Sequence, residues 1–477
     1  MTGPLRDRLQ PAGRGRAPGE GAGLDDAELG RRQRLRFGAV VVVLAVVCAL
    51  FGVLSNLQGP KLTETRIDTE AAVAQPGQQL RMFANQVVAH VDADQVVVSP
   101  AAPHTVSTSG DVIAVRFTDR LRYGTDYTVT VTGVSSVYQA RASELSTTFG
   151  TAAAETWRIV HGVDGSDDRI ERAPLTGGAD RTVVYQAPRI QAFEVFDTAV
   201  AVVTDDGTTS RLSLVAFDGV AVEDLPLPDG PGLITRFGAD RTSTTLAFSW
   251  RPQGAETDAL YAMPLQGERA ATPVQSLAGQ PLTALDWFFV PGRATVVVQS
   301  ADESVAAYDL TGVAPPRPYG TFVSLQGVAL DGGTIVAATA VESSRIDLET
   351  GEQTAIPFSA VEGGTPFRGE LVAIGETTYV QQVAIPTSDG AAYRNLIVVD
   401  DEKEARSLYE PSTAGTTIEG FSVSPNGQYL AVETADATAE TDFTYTIDPV
   451  PATVTTTVVD IASGGVVASF SGHSAAW

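Results

Sequence analysis

Ile418-Glu-Gly-Phe421-Ser-Val-Ser424-Pro425-Asn426-Gly427-Gln-Tyr429-Leu430-Ala431-Val432 holds two aliphatic and aromatic stretches on either side of a turn. Asn-Gly is the strongest short hairpin signal, because both central residues of a type I′ turn need positive φ. The reading is therefore strand a, tight turn, strand b, with Phe421 and Val423 on one face of strand a. Weaker copies of this unit occur at 190–203, 233–250, 282–299, 323–339 and 367–383, six in all. A second landmark, an aliphatic strand c closing in a turn, recurs seven times, at 172–177, 215–219, 261–267, 308–312, 346–351, 398–400 and 458–461.

The unit ending in Ser424-Pro425-Asn426-Gly427 resembles the repeat of TolB-type and WD40-like β-propellers, in which an inner strand ends at Ser-Pro-Asp-Gly. The resemblance implies a propeller over residues 155–477. Seven blades fit the length, at about 40–45 residues per blade, with six or eight as the alternatives. Six a–b units against seven c strands leave one blade short of its first strand. Ser471-Gly-His-Ser-Ala-Ala-Trp477 has inner-strand character and would supply it. Both ends of the propeller then share the blade formed by 157–161, 169–175 and 181–186.

Residues 61–151 read as short alternating strands at 96–99, 112–117, 127–132 and 146–151, separated by Gly, Pro and Asp turns. Tyr127, Val129 and Val131 point to one face and Thr128, Thr130 and Thr132 to the other. The stretch Leu121-Arg-Tyr-Gly124-Thr125-Asp-Tyr127-Thr-Val-Thr-Val131, with Thr148-Phe149-Gly150-Thr151, resembles the bacterial S-layer-type Ig-like domain. That implies a β-sandwich. The fold class expected is thus all-β: an Ig-like β-sandwich, then a seven-bladed β-propeller, with one N-terminal transmembrane helix.

That helix is expected at 37–57, because Phe37 to Leu54 contains neither charge nor proline and nearly matches the ~20 residues that span a bilayer. Arg31, Arg32, Arg34 and Arg36 precede it, so the positive-inside rule keeps residues 1–36 in the cytoplasm and exports the rest. The Gly-, Pro- and Arg-rich tail 1–36 reads as disordered. A cleaved signal peptide is the weaker alternative, since no small-x-small site follows the apolar run. Of the chain's net charge of −25, the tail contributes +3 and the remainder −28, which excludes nucleic acid as a partner of the exported part. Nearly all the basic residues are Arg, Lys61 and Lys403 being the exceptions, which points to a GC-rich bacterial genome. The single cysteine, Cys48, permits neither an intrachain disulfide nor a Cys-based zinc site.

No convergent catalytic set emerges. Gly472-His473-Ser474-Ala475-Ala476 only superficially matches the G-x-S-x-G elbow, which needs a following helix. His161 and His473 would be neighbours on strands b and a of the closing blade, a metal pair without a recognisable third ligand. Asp164-Gly-Ser-Asp167-Asp168 reads as a solvated turn rather than a calcium loop, since it lacks the EF-hand pattern. No cofactor and no metal is assigned, and the chain is not expected to be an enzyme.

What survives is a pattern in the b–c loops, which share one end of the ring. Every one carries acid: Asp164, Asp167 and Asp168; Asp205 and Asp206; Glu256 and Asp258; Asp302 and Glu303; Glu342; Asp389; and Asp436, Glu440, Asp442 and Asp448. The loops 384–395 and 434–452 are long, and the second adds Phe443 and Tyr445 as exposed aromatics. The expected partner-binding residues are Asp164, Asp167, Asp205, Asp206, Asp302, Glu303, Asp389, Phe443 and Tyr445. The function expected is a membrane-anchored binding or scaffold protein of the cell envelope, recognising a protein, peptide or glycan. A lactonase-like, metal-assisted hydrolase working through inner-strand acids (Glu194, Asp286, Glu419) and a mechanical spacer are the alternatives.

Overall fold

The computed structural model describes residues 36–49 and 59–477, except 164, 177–180, 363 and 388–391. Residues 36–49 are helical and exposed, and no described helix is long and apolar enough to cross a membrane. Positions 50–57 of the expected span, and residues 1–35, lie outside the described residues.

The first unit is a β-sandwich. Its four-stranded sheet runs in the order Leu62–Arg66, Gln79–Ala84, Val112–Phe117, His104–Ser109, and its three-stranded sheet in the order Val96–Ser99, Asp126–Ser136, Gln139–Gly150. Alternation decides what each sheet buries: Leu80, Met82, Ile113, Val115 and Phe117 from one meet Val96, Val98, Tyr127, Val129 and Val131 from the other in one core.

Seven four-stranded antiparallel sheets follow as the blades of a β-propeller. First strands (a) are His473–Ala476 in blade 1, then Ile190–Val195, Gly232–Asp240, Ala284–Phe289, Ser324–Val328, Phe367–Ala373 and Thr416–Val423 in blades 2 to 7. Blade 1 continues with Glu155–Val160 (b), Asp168–Pro174 (c) and Thr182–Ala187 (d); blade 7 with Tyr429–Asp436, Thr455–Asp460 and Val466–Ser471. The last strand of the chain pairs antiparallel with Glu155–Val160, His473 opposite Ile159 and Ala476 opposite Trp157. The second strands are nearly continuous apolar runs, such as Val200 to Val203 and Val296 to Val298, all fully buried, because they pack between neighbouring blades on both faces. In blades 2 to 7 the a–b pairing slips once, at Ile190/Ala192, Ile234/Arg236, Ala284/Asp286, Leu325/Gly327, Arg368/Leu371 and Ile418/Gly420. Each bulge bends the inner strand near its b–c end.

The turn at Asn426-Gly427 differs from the expected type. Gly427 has φ +68°, but Asn426 is not among the positive-φ residues, which excludes type I′. The Gly427 N–H donates to the Ser424 carbonyl at 2.8 Å, so the turn is centred on Pro425-Asn426 with Gly427 left-handed behind it. Ser at the first position, Pro at the second and Gly at the fourth suit a type I turn.

This turn also docks the sandwich. The Asn426 amide donates to the Leu121 carbonyl at 3.0 Å, and the Tyr123 N–H donates to Gln428 Oε1 at 2.7 Å. Arg122 pairs with Asp460 at 3.0 Å, and Arg120 donates to the Leu330 carbonyl at 3.0 Å. Tyr123, Tyr429 and Trp477 stack in sequence at 6.1 and 5.8 Å. All these propeller residues lie at a–b or c–d turns or at the top of the closing strand. The sandwich therefore covers one end of the ring.

Candidate functional site

Because strands alternate in direction, the b–c loops emerge at the end opposite the sandwich. Asp206, Asp302, Glu303 and Asp167 are exposed there. Asp206 accepts from the Thr208 N–H and hydroxyl (2.8 and 2.7 Å) and the Thr209 N–H (2.8 Å), and Asp302 accepts from the Ser304 hydroxyl at 2.6 Å. These short-range bonds hold both carboxyls below their usual range. They stay ionised on the surface. Phe443 is 77% exposed on the same end. Asp164 and Asp389 lie outside the described residues.

Two expected binding residues are placed otherwise. The Asp205 side chain is 1% exposed; it pairs with Arg189 at 3.2 Å and accepts from the Gly207 N–H at 2.9 Å. It is a turn anchor rather than a steering charge. Tyr445 is buried, with its hydroxyl donating to Asp168 Oδ2 at 2.9 Å and its ring edge-on to His161 at 4.1 Å. Asp168 is itself buried rather than part of a solvated turn, and also accepts from the Gly162 and Ile190 N–H groups (2.8 and 2.9 Å).

Tyr445 is buried because its loop is a strap. Between strands b and c of blade 7 the chain crosses onto blades 1 and 2, where Gln191 donates to the Thr444 carbonyl (3.0 Å) and accepts from the Thr446 N–H (2.7 Å). Ile447 packs against the core formed by Phe196, Ile234 and Trp250. The strap thus ties blade 7 to blades 1 and 2 across the ring closure.

Beneath it lies a cluster. His161 and His473 stack face to face at 4.5 Å, with planes 6° apart. Burial, then the neighbouring His473, pushes His161 down to about 4, so it is neutral at physiological pH. His473 Nδ1 lies 2.9 Å from Ser474 Oγ and 3.5 Å from Asp448 Oδ2, and Ser474 Oγ donates to Asp448 at 3.1 Å. Buried Glu433, on strand b of blade 7, accepts from the Ala475 N–H at 3.3 Å. Glu433, Asp448 and His473 bring donor atoms within 4.8 Å of one another. Spacing along the chain could pair the histidines but not find Glu433 and Asp448, which arrive from the next blade. Burial, with Asp448 nearby, raises the Glu433 carboxyl. Burial would raise Asp448 too, but His473 and Ser474 outweigh it and hold it low.

The three inner-strand acids have separate partners. Asp286 is ion-paired with Arg236. Glu194 is pushed up to about 7 by burial, against the opposing charge of Arg241. Glu419 is exposed and accepts from the Thr417 hydroxyl at 2.5 Å.

No protein-family model and no curated protein matches this chain. Among solved structures it is similar to a TolB candidate from Agrobacterium tumefaciens (12% identity, TM-score 0.33, 68% of this chain and 91% of that one). It is also similar to apo AztD from Citrobacter koseri (13%, 0.35, 75% and 96%) and to a 6-phosphogluconolactonase candidate from Bacteroides uniformis (12%, 0.41, 68% and 96%). The class defined by the strand order is an all-β protein built on a β-propeller.

Proposed function

We propose that the chain is a membrane-anchored, extracytoplasmic binding protein of the bacterial envelope, which uses the b–c end of its propeller to hold a basic protein or peptide partner. The observation that carries the reading is the division of the ring: the sandwich occupies the a–b end, while the opposite end presents Asp167, Asp206, Asp302, Glu303 and the exposed Phe443. Acids spread around a rim steer a cationic partner, and an exposed aromatic supplies the apolar contact that retains it. In this reading residues 37–57 anchor the chain with residues 1–36 in the cytoplasm, and residues 61–151 are an S-layer-type Ig-like spacer holding the propeller away from the bilayer. The apolar run, the arginines before it and the Tyr-Thr-Val-Thr-Val strand support this arrangement. No chemical step belongs to the reading.

The test uses the full-length chain in detergent and a Lys/Arg-rich peptide, with crosslinking in cells to capture the native partner. D206N, D302N and E303Q combined are expected to lower the association rate about tenfold at low salt, and F443A to raise the dissociation rate. Peptide binding that neither salt nor the triple variant alters would overturn the proposal.

A further inference from the structure

We propose that Glu433, Asp448 and His473 form a binding site for one first-row divalent cation, of the Zn2+ class, at the seam where blade 7 meets blade 1. The site goes beyond partner binding and does not depend on it.

Its first support is geometric. The donor atoms of the three residues lie within 4.8 Å of one another, on strand b of blade 7, the strap and the closing strand. His473 Nδ1 and Asp448 Oδ2 are 3.5 Å apart. Tetrahedral zinc, with bonds near 2.0–2.1 Å, sets its donors about 3.4 Å apart. That edge is already formed, and the Glu433 carboxylate lies within 4.8 Å of the other two donors.

The second support is what the cluster lacks. Glu433 is 8% exposed and His473 1%, and among the described residues His473 is the only basic side chain within 4.0 Å of either carboxylate. A buried carboxylate such as Glu433 is costly without a cation beside it. His473 Nε2 and both nitrogens of His161 are buried without a hydrogen-bond partner. On His473 the nitrogen that faces Asp448 is Nδ1, which lies 2.9 Å from Ser474 Oγ, so a metal would take the place of that contact.

The donor set selects the ion. Calcium and magnesium take oxygen ligands, whereas one imidazole with two carboxylates suits Zn2+ and its neighbours. The His161 ring stacks on His473 at 4.5 Å and fixes its orientation. A cation here would clamp three elements that meet only at ring closure, and would hold down the strap that carries Phe443 to the b–c end.

The experiment is a titration of the metal-free full-length chain with ZnCl2, followed by calorimetry, thermal melting and X-ray absorption at the zinc edge. The expected result is one ion per chain, a raised Tm, and a first shell containing one imidazole nitrogen, undisturbed by millimolar Ca2+. E433Q and D448N, which preserve shape, should each weaken binding at least tenfold, while D206N leaves it unchanged. D448N alters a half-exposed side chain, so it reports even if E433Q fails to fold. No saturable binding, a shell without imidazole, displacement by Ca2+, or wild-type affinity in D448N would each overturn the proposal. Zinc binding needs no partner, so its failure is separable from failure of the peptide assay.

Discussion

The two ends of the propeller are built differently from the same repeat. At the a–b end, short turns give way to a dense interface: Asn426, Gln428, Asp460 and Leu330 bond the sandwich, and Tyr123, Tyr429 and Trp477 stack across it. At the b–c end the exposed loops bond mainly to themselves, as Asp206 and Asp302 do, and one long strap crosses between blades. The difference teaches which turns carry the stability of the scaffold. Loops whose polar groups are satisfied within a few residues can vary without disturbing the scaffold, whereas turns that bond another unit cannot. The closing strand joins both regimes, because His473 at its start enters the b–c cluster and Trp477, just beyond its end, enters the a–b stack.

The strongest way to break the comparison is therefore to remove that strand. Deleting Ser471 to Trp477 exposes the unpaired edge of Glu155–Val160 and should yield insoluble protein or one that melts without a cooperative transition. A soluble, cooperative truncation would show that neither end depends on ring closure. A more selective change is Tyr123→Ala, which takes the sandwich's ring out of the stack. It should cost about 2 kcal/mol and split the calorimetric melt into sandwich and propeller transitions, with zinc affinity at the far end unchanged.

Gly427→Val probes the turn itself. A side chain built there meets only ordinary contacts, the nearest being Ile374 at 3.8 Å, so the cost comes from φ +68°. About 1–2 kcal/mol is expected, read as a lower Tm. Glu194→Gln tests the electrostatics of the inner strands. The folded-state pKa of Glu194 is raised from 4.5 to about 7. The folded protein thus holds this proton more tightly than the unfolded chain. Its contribution is fully present below about pH 4.5 and is lost as pH rises through 7. With partial solvent access discounted, the wild type should lose about 1 kcal/mol more than the Gln variant between pH 4.5 and 8. Smallest of all is the stability change in the D206N/D302N/E303Q variant, within about 0.5 kcal/mol, since Asn retains the turn-capping oxygen at the first two positions.

Much of the architecture was legible because it is periodic. Alternation in Tyr127-Thr-Val-Thr-Val131 marks the buried face of the sandwich, and the repeated a–turn–b unit marks the blades. The count of six first strands against seven third strands pointed to the role of Ser471 to Trp477. The chemistry of individual side chains was less legible. Asp205 and Asp206 are adjacent and identical in type, yet one is buried against Arg189 and the other is exposed. Tyr445 and Phe443 stand two apart in one loop, and only Phe443 is available to a partner. Even the Asn426-Gly427 turn adopts a different type from the one the dipeptide alone suggests, because Pro425 presets its first central residue.

By itself, then, the sequence determined the repeated blade strands and the places where they turn, since these follow from local rules of period two and backbone freedom, but not the sandwich strands Leu62–Arg66, Gln79–Ala84 and His104–Ser109. Tertiary structure alone decided that Asp205 is buried against Arg189, which end of the ring the sandwich covers, and that Glu433, Asp448 and His473 meet. Those outcomes depend on contacts between residues 16 to 338 positions apart, such as Asp205 with Arg189 and Arg122 with Asp460, which no local pattern encodes.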